Sequence, residues 1–375
     1  MGSRMGVWAL VALVAAVAGA AVAAPPSSAA VGGSAAVAGA ASVARTATVD
    51  GPAVAAATAA RATIPARSLL VAATGDVLPE NLVLDAGART VGVGQRYAFG
   101  PLFAQIAPII RSADLAICHV ETPIGKPGER PGFYGASPFG GNLLLAPFEM
   151  AAAIAGAGFD RCSTSSNHSN DLGLAGIDST LDALDAAGVT HAGTARSPTE
   201  ADSGLPTLMT INRIRVAHLA YTTYSNTNPT AQPWQLNFAA SVEQVAADVR
   251  RVRAAGAEIV IVSLHLFHEL LPAPIPEDRA FATALTAAVP IDLVIHHGPH
   301  TIQPVERVNG AIVYWSVGNL VSGMGVPGKG RYSDPRTLDG LIATVRFTET
   351  SPGHFDAVSM PILVCDEVAS RVVYA

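Results

Sequence analysis

Amide, imidazole and carboxylate side chains crowd into one short polar stretch of this chain, "STSSNHSNDLG" at 163–173. Asn167 stands beside His168, and Asp171 follows three residues later. An amide oxygen can bind a metal ion, and histidine is the side chain whose unperturbed pKa lies nearest neutrality. We therefore expect Asn167 to hold a metal ion and His168 to transfer a proton. Asp171 either caps the following helix or supports the site.

Similar polar residues end other short apolar runs: Asp76, His119 with Glu121, His265 with His268, the "HHGPH" residues His297 and His300, and Asn319. Taken singly, each could be a turn residue, a helix cap, a buried core histidine or part of a surface loop. Their recurrence after successive apolar runs is better explained by one shared site. Histidine nitrogens with carboxylate and amide oxygens suit Mn²⁺, Fe or Zn²⁺, so we predict one or two divalent metal ions.

The elements that must carry these residues alternate between strands and helices from Ser68 onward. Apolar runs such as "SLLVAATGD", "DLAICHVE" and "EIVIVSLH" have strand character, whereas "PLFAQIAPIIRSA" has apolar residues at helical spacing. The alternation predicts an α/β fold with a largely parallel central sheet, in a single domain over residues 67–375. In such folds ligands bind at the carboxyl ends of the strands, where these polar residues stand.

Composition narrows the function classes. The chain has 375 residues, half of them hydrophobic, and a mild formal net charge of −6. No basic stripe is present in the sequence, which argues against nucleic acid as a partner. Its length suffices for one large domain or two small ones.

The N-terminal segment predicts export. Residues 1–23 contain one Arg, then an apolar run, then small residues, and Ala21-Val22-Ala23 fits a signal-peptide cleavage site. The alternative is an uncleaved membrane anchor, because the run reaches the roughly 18 residues that could span a bilayer. Residues 24–66 are rich in Ala, Ser, Thr and Pro and are predicted to be a disordered linker. We therefore expect an extracellular or cell-envelope protein.

Three cysteines are present, Cys118, Cys162 and Cys365. Cys118 and Cys162 both end strand-like runs, so a disulfide could form if those strands are neighbours. Buried thiols are the alternative, and no spacing typical of a zinc site occurs.

The order of the motifs resembles the CapA family, the poly-gamma-glutamate capsule synthesis proteins of the calcineurin-like metallophosphoesterase superfamily. The matching segments are "TGDVL" (74–78), "ADLAICHVETPI" (113–124), "SSNHSNDLGLAGIDSTLDAL" (165–184), "VSLHLFHE" (262–269), "IDLVIHHGPHTIQPVE" (291–306) and "VYWSVGNLV" (313–321). This resemblance implies two packed mixed β-sheets flanked by helices, a four-layer αββα sandwich.

Carried over position by position, the resemblance also implies a set of site residues. The implied metal ligands are Asp76, Glu121, Asn167, His265, His297 and His300. His168 is the implied catalytic proton carrier. Further candidates, as ligands or as groups that support ligands, are His119, Asp171, His268 and Asn319.

The implied function is a role in the synthesis or export of poly-gamma-glutamate capsule or another cell-envelope polymer, through a metal-dependent hydrolase site. An anionic surface polymer or a phosphoester is the expected substrate, with membrane components of a capsule system as further partners. This chain departs from the family pattern at His119, where the family has Asn, and at Leu266 and Phe267, where it has Trp and Gly. These departures motivate an alternative, a non-catalytic surface factor that binds or guides an anionic polymer.

Overall fold

The computed structural model describes residues 66–202, 208–227, 232–328, 330–366 and 372–374. The predicted signal peptide, 1–23, and the predicted linker up to residue 65 lie outside these described residues. Within the described ranges, no helix has the length and apolar character needed to cross a membrane.

Seventeen strands are assigned within the described part of the chain. In chain order they are β1 (Ser68–Leu78), β2 (Leu115–Val120), β3 (Gly132–Ala136), β4 (Asn142–Leu145), β5 (Arg161–Ser163), β6 (Thr190–Ala192), β7 (Leu208–Ile211), β8 (Ile214–Thr222), β9 (Ile259–His265), β10 (Leu293–His297), β11 (Val305–Val308), β12 (Ala311–Tyr314), β13 (Asn319–Ser322), β14 (Asp339–Ser351), β15 (His354–Ser359), β16 (Ile362–Asp366) and β17 (Val372–Tyr374).

Eight α-helices accompany these strands in the described residues. They are α1 (Asn81–Arg89), α2 (Gly100–Phe103), α3 (Ala107–Ile110), α4 (Glu149–Ala157), α5 (Gly173–Ala187), α6 (Pro198–Asp202), α7 (Val242–Ala254) and α8 (Pro276–Ala288).

The strands form two large mixed sheets and one small hairpin. The larger sheet has the order β17-β16-β14-β1-β2-β5-β6, with β13 also paired to β1 and β15 to β14. The second sheet has the order β11-β12-β10-β9-β8-β7. In the centre of each sheet the strands are parallel, as β1 is with β2 and β9 is with β8 and β10. Hairpin β3–β4 stands apart from both sheets.

Alternation along the central strands places the two sheets face to face. Leu69 and Val71 of β1 share one buried cluster with Ile259 and Ile261 of β9, which belongs to the other sheet. The intervening Ala72 of β1 faces the opposite side of its sheet, in a cluster with residues of the first helices. Because successive strand side chains point to opposite faces, each sheet therefore packs on its partner with one face and on helices with the other.

The helices cover the two outer faces. Helices α1–α5 bury apolar residues against the larger sheet, and α7 and α8 do so against the second. The layers are therefore helix, sheet, sheet, helix, which confirms the predicted four-layer αββα sandwich.

The predicted helix over "PLFAQIAPII" is two short helices, α2 and α3, rather than one. Pro108 lies in the first turn of α3, and proline lacks the N–H that a continuous helix would need there. The four residues predicted to share a face, Leu102, Phe103, Ile106 and Ile110, are all buried in the cluster beneath these helices. The periodicity therefore identified the buried face correctly and missed the break.

A disulfide joins neighbouring strands of the larger sheet. Cys118 of β2 and Cys162 of β5 are register partners in parallel strands, and their Cα atoms are 4.4 Å apart. The sequence predicted that this disulfide could form if the two strands are neighbours, and the two strands are neighbours. The bond links the strand that carries His119 to the strand that leads into Asn167.

Candidate metal centre

The strand register brings the predicted site residues to one edge of the sandwich. In the larger sheet, Asp76 of β1 pairs in register with His119 of β2 on one side and with Asn319 of β13 on the other. In the second sheet, His297 of β10 pairs with His265 of β9. Since these strands are parallel, their carboxyl ends meet at the same edge, as the sequence predicted.

Asp76 lies at the centre of the cluster and its side chain is fully buried. Its Oδ1 atom lies 3.2 Å from His297 Nδ1 and 4.0 Å from His119 Nε2. Its Oδ2 atom lies 3.2 Å from His300 Nδ1 and accepts a hydrogen bond from the Gly298 N–H at 3.3 Å. Burial opposes ionisation, but contacts with His297 and His300 outweigh it and hold the pKa of Asp76 well below its usual range. The two carboxylate oxygens of Asp76 thus face two different sets of possible metal ligands.

The first ligand group consists of Asp76, His119 and His297, whose candidate ligand atoms lie within 4.8 Å of one another. The two imidazole rings stack with their centroids 4.0 Å apart. His265 adjoins this group, with its Nδ1 3.0 Å from His119 Nε2. Burial lowers the pKa of His119 far below its usual range and that of His265 to about 3. Both rings are therefore neutral near pH 7, which is the form that binds metal ions.

The second ligand group consists of Asp76, Glu121 and His300. His300 Nε2 lies 3.6 Å from Glu121 Oε1. Burial raises the pKa of Glu121 to about 8. Burial would lower the pKa of His300, but the charges of Glu121 and Asp76 raise it to about 10. The two buried carboxyl groups thus require a positive charge between them, which a proton on His300 or a divalent cation can supply.

Several buried atoms that could bind a metal ion have no hydrogen-bond partner among the described residues. They are Asp76 Oδ1, His119 Nδ1, both oxygens of Glu121, Asn167 Oδ1 and both ring nitrogens of His297. Buried polar atoms in native proteins are normally satisfied, so a cluster of unsatisfied nitrogens and carboxylate oxygens requires another partner. The residues present therefore fit a site for one or two divalent ions.

The loop after β10 needs special backbone geometry to deliver His300. Gly298 has a φ of +94°, and His300 adopts a left-handed φ of +59°. A Cβ atom on Gly298 would lie 2.2 Å from the Leu266 carbonyl oxygen and 2.9 Å from His265 Nε2. Only glycine fits there. A non-glycine residue at positive φ marks strain that is commonly retained at functional sites.

A second cluster of site residues is built by loops. His168 Nδ1 lies 2.7 Å from Asp171 Oδ2, and that oxygen also accepts a hydrogen bond from the Leu144 N–H of hairpin β3–β4 at 2.7 Å. Asn226 Nδ2 lies 3.2 Å from the same His168 nitrogen, and Asn167 Nδ2 donates to Asn226 Oδ1 at 3.3 Å. These four polar side chains therefore form one connected network, which we call the loop cluster.

His168 is held in a form that can give up a proton. Burial would lower its pKa, but the hydrogen bond and charge of Asp171, with the charge of Glu121, raise it above the usual value. Burial raises the pKa of Asp171 itself, against the opposing effect of His168. The charge of Glu121 thus couples the loop cluster to the metal-ligand groups.

Two further candidates have different positions. Asn319 Oδ1 lies 2.9 Å from His300 Nδ1, and its Nδ2 donates to the Thr337 carbonyl at 3.0 Å, so it orients His300 from behind. His268 is part-exposed, lies 3.3 Å from Asp278 Oδ2 and belongs to neither ligand group.

Asn226 is the site residue that the sequence interpretation missed. It is 3% exposed and contacts both Asn167 and His168. It follows β8, so the rule that found the other residues, a polar side chain just after a strand, could have found it too.

Comparison with known proteins gives matches over most of the described domain. The sequence model of a family described as "Bacterial capsule synthesis protein PGA_cap" matches residues 70–324. The "Capsule biosynthesis protein CapA" of Bacillus anthracis is 24% identical over 300 residues, which cover 78% of this chain and 67% of that protein.

Two solved structures of low sequence identity align with much of this chain. The calcineurin-like phosphoesterase YfkN of Bacillus subtilis aligns with a TM-score of 0.45 and 12% identity, over 79% of this chain and 91% of that one. A 5'-nucleotidase precursor from Thermus thermophilus aligns with a TM-score of 0.44 and 13% identity, over 81% of this chain and 56% of that one. This chain therefore spans just over half the length of the nucleotidase.

Proposed function

The chain belongs to the family of bacterial capsule synthesis proteins, and from this premise we propose that it serves capsule or cell-envelope polymer synthesis or export through a metal-dependent hydrolase site. The observation that carries the proposal is Asp76, whose two carboxylate oxygens each face a separate group of buried ligand atoms. A shared carboxylate of this kind suits a pair of divalent ions in a hydrolase.

The residues that would hold the metal fall into the two groups already described. Asp76, His119 and His297 form one, and Asp76, Glu121 and His300 form the other. His265 adjoins His119, and the buried amide oxygen of Asn167 in the loop cluster, unpartnered among the described residues, is a further candidate ligand. A divalent ion bound there would polarise a phosphoryl or carbonyl oxygen and lower the pKa of a water molecule. Asn319 keeps His300 in its orientation, as outer hydrogen-bond partners of metal ligands commonly do.

The loop cluster supplies proton transfer. His168 is buried and its raised pKa keeps it protonated further toward alkaline pH, so it can donate a proton to a leaving oxygen. Asp171 accepts a hydrogen bond from Nδ1 and so fixes the imidazole, and the proton on Nε2 is the one transferred. Asn226 Nδ2 lies 3.2 Å from Nδ1 and 3.3 Å from Nε2, so Asn226 lies against the ring from the loop after β8.

We also propose that the domain works outside the cytoplasm, on an anionic surface polymer such as poly-gamma-glutamate or on a phosphoester. The support is the signal-like composition of residues 1–23 and the family name. N-terminal sequencing of protein recovered from the culture medium and from membranes would test export. A mature chain that begins near residue 24 is expected; an intact N-terminus on a cytoplasmic protein would contradict export.

The proposed function is tested by loading the purified protein with Mn²⁺, Fe²⁺ or Zn²⁺ and screening phosphoesters and glutamyl polymers for hydrolysis. Asn167→Ala and His168→Ala are the site variants, and His354→Ala, an exposed histidine of β15, is the matched control. Hydrolysis that both site variants reduce and the control retains supports the proposal. No hydrolysis by metal-loaded protein that still binds polyglutamate would instead favour the non-catalytic surface factor.

A further inference from the structure

A groove of about 330 Å³ opens beside the loop cluster. Four aromatic side chains line it, Phe139, Tyr224, Phe267 and Tyr332, and so does Asn226. Because Asn226 lies 3.2 Å from His168 Nδ1, the groove leads to the proposed proton donor. Its size lies at the small end of ligand pockets, enough for one ring-sized group.

The groove is continuous with the metal-ligand strands. Thr222, the last residue of β8, pairs in register with His265 of β9, and the Thr223 N–H donates to the His265 carbonyl at 3.0 Å. Tyr224 and Phe267 follow these two strand ends directly. Glu269, which also lines the groove, raises the pKa of both Glu121 and His300 through its charge. The groove and the metal-ligand groups are thus electrostatic neighbours.

The aromatic residues of the groove expose large apolar rings to solvent. Phe267 is 50% exposed and Phe139 is 53% exposed. The Tyr224 and Phe267 rings contact each other, with centroids 4.3 Å apart at an angle of 44°, and both residues line the groove. Exposed apolar surface gathered next to a reactive site is typical of a ligand-binding surface.

The charged groups of the groove are already paired. Arg331 forms an ion pair with Glu269, and Tyr332 donates a hydrogen bond to the same carboxylate at 3.2 Å. His268 faces Asp278 at 3.3 Å. Each described cationic side chain of the lining therefore already has an acidic partner, so the groove offers no unpaired cation to bind a polyanionic chain. What remains is a set of aromatic faces with planar polar groups at their rim, which matches an uncharged ring that carries hydroxyl groups.

We propose that this groove binds a sugar ring next to the bond that the metal centre cleaves, so that the substrate is a glycosyl phosphoester or a sugar-containing envelope polymer. The C–H face of a pyranose ring is apolar and slightly positive, and the negative faces of Phe267 and Tyr224 attract it. Glu269, Arg331 and Tyr332 offer hydrogen bonds to hydroxyl groups. The part of this inference that concerns the cleaved bond rests on the proposed function. The part that concerns binding of a sugar ring rests on the groove alone.

The test compares three probes of similar charge on the full-length protein: glucose 1-phosphate, glycerol 3-phosphate, which has no ring, and adenosine 5'-monophosphate. Binding is measured by saturation-transfer NMR, which needs no turnover. Phe267→Ala and Tyr224→Ala are expected to weaken glucose 1-phosphate binding about 2- to 10-fold, the range for an aromatic contact of about 0.5–1.5 kcal/mol. Glycerol 3-phosphate binding should not change.

Phe133→Ala is the matched control, since Phe133 is an exposed aromatic residue of β3 that does not line this groove. It should leave binding of all three probes unchanged. Hydrolysis, where it is measured, should show a raised KM and a preserved kcat for glucose 1-phosphate in Phe267→Ala.

Two results would overturn the sugar site. One is wild-type protein that does not bind glucose 1-phosphate, or binds it equally well after both aromatic substitutions. The other is binding of adenosine 5'-monophosphate through Phe267 without binding of the sugar phosphate. Sugar binding that depends on Phe267 without hydrolysis of any phosphoester would support the sugar site and contradict the proposed hydrolase. Hydrolysis of glycerol 3-phosphate without sugar binding would support the proposed hydrolase and contradict the sugar site.

Discussion

The metal-ligand groups and the loop cluster lie side by side and differ in how their side chains are held. The ligand groups stand at strand ends, are almost fully buried, and leave donor atoms such as Asp76 Oδ1 and both Glu121 oxygens without partners among the described residues. The loop cluster is also buried and leaves Asn167 Oδ1 and Asp171 Oδ1 without such partners, but both ring nitrogens of His168 have polar neighbours in Asp171 and Asn226.

This difference separates two kinds of chemistry. Rigid parallel strands hold several ligand atoms at fixed spacing, and the atoms without hydrogen-bond partners in the described part of the chain are free to bind a metal ion. A histidine that is hydrogen-bonded on one ring nitrogen has a defined tautomer and orientation, which suits proton transfer. Substitutions in the two regions should therefore have separable effects on metal content and on catalysis.

The largest effect is expected from Asp76→Ala, because this carboxylate belongs to both ligand groups. Loss of the metal removes several kcal/mol of transition-state stabilisation, so the variant should lose about 10⁴-fold in kcat/KM in the assay that detects hydrolysis. Circular dichroism would check that the variant is folded. A folded variant that keeps more than a tenth of the activity would contradict a shared ligand at Asp76.

His168→Ala should lower kcat by about 10²- to 10³-fold, the usual contribution of a positioned proton donor. Metal content should stay at the wild-type level, because His168 belongs to neither ligand group. Steady-state kinetics and elemental analysis of the same preparation measure the two quantities, and His354→Ala serves as the control. Loss of metal in His168→Ala would contradict the separation of metal binding from proton transfer in these two regions.

Asp171→Asn should have a smaller effect, about tenfold in kcat, since it removes one charge-assisted hydrogen bond worth about 1.5 kcal/mol. The Asp171 carboxylate raises the pKa of His168, so its loss lowers that pKa. His168 then loses its proton at a lower pH, and the alkaline limb of the pH–rate profile should move to lower pH. An unmoved limb would show that another group supplies the proton.

The smallest effect on activity is expected from removal of the Cys118–Cys162 disulfide, which links the two regions covalently. A double Cys→Ala variant should lose about 2–4 kcal/mol of unfolding free energy, because a separation of 44 residues closes a long loop in the unfolded chain. Denaturant unfolding measures this loss. At 25 °C the activity of the variant should stay within about twofold of wild type. Reductant should lower the unfolding free energy of wild type and leave that of the variant unchanged.

Strand-end residues were predictable from the sequence because local pattern decides their position. An apolar run followed by Asp76, His119 or His297 predicts a buried strand and a polar side chain at its carboxyl end, and the parallel register gathers these ends. The family resemblance pointed to the same residues and to the four-layer fold.

Contacts between distant loops were not predictable in this way. The Leu144 N–H reaches Asp171 from a hairpin 27 residues away, and Asn226 reaches His168 across 58 residues. Nothing in the local sequence encodes either contact, because each depends on how the hairpin and the loop after β8 pack over the site. The aromatic groove is likewise assembled from separate loops.

Metal stoichiometry, measured by elemental mass spectrometry, shows whether Asp76 is a ligand of bound metal ions and His168 is not. The samples are residues 67–375, Asp76→Ala and His168→Ala, each reconstituted with Mn²⁺, Fe²⁺ or Zn²⁺ and desalted. We predict one to two ions bound by wild type and His168→Ala, and little or none by Asp76→Ala. Wild-type protein without metal after reconstitution, or Asp76→Ala with wild-type metal content, would contradict a metal centre built on Asp76.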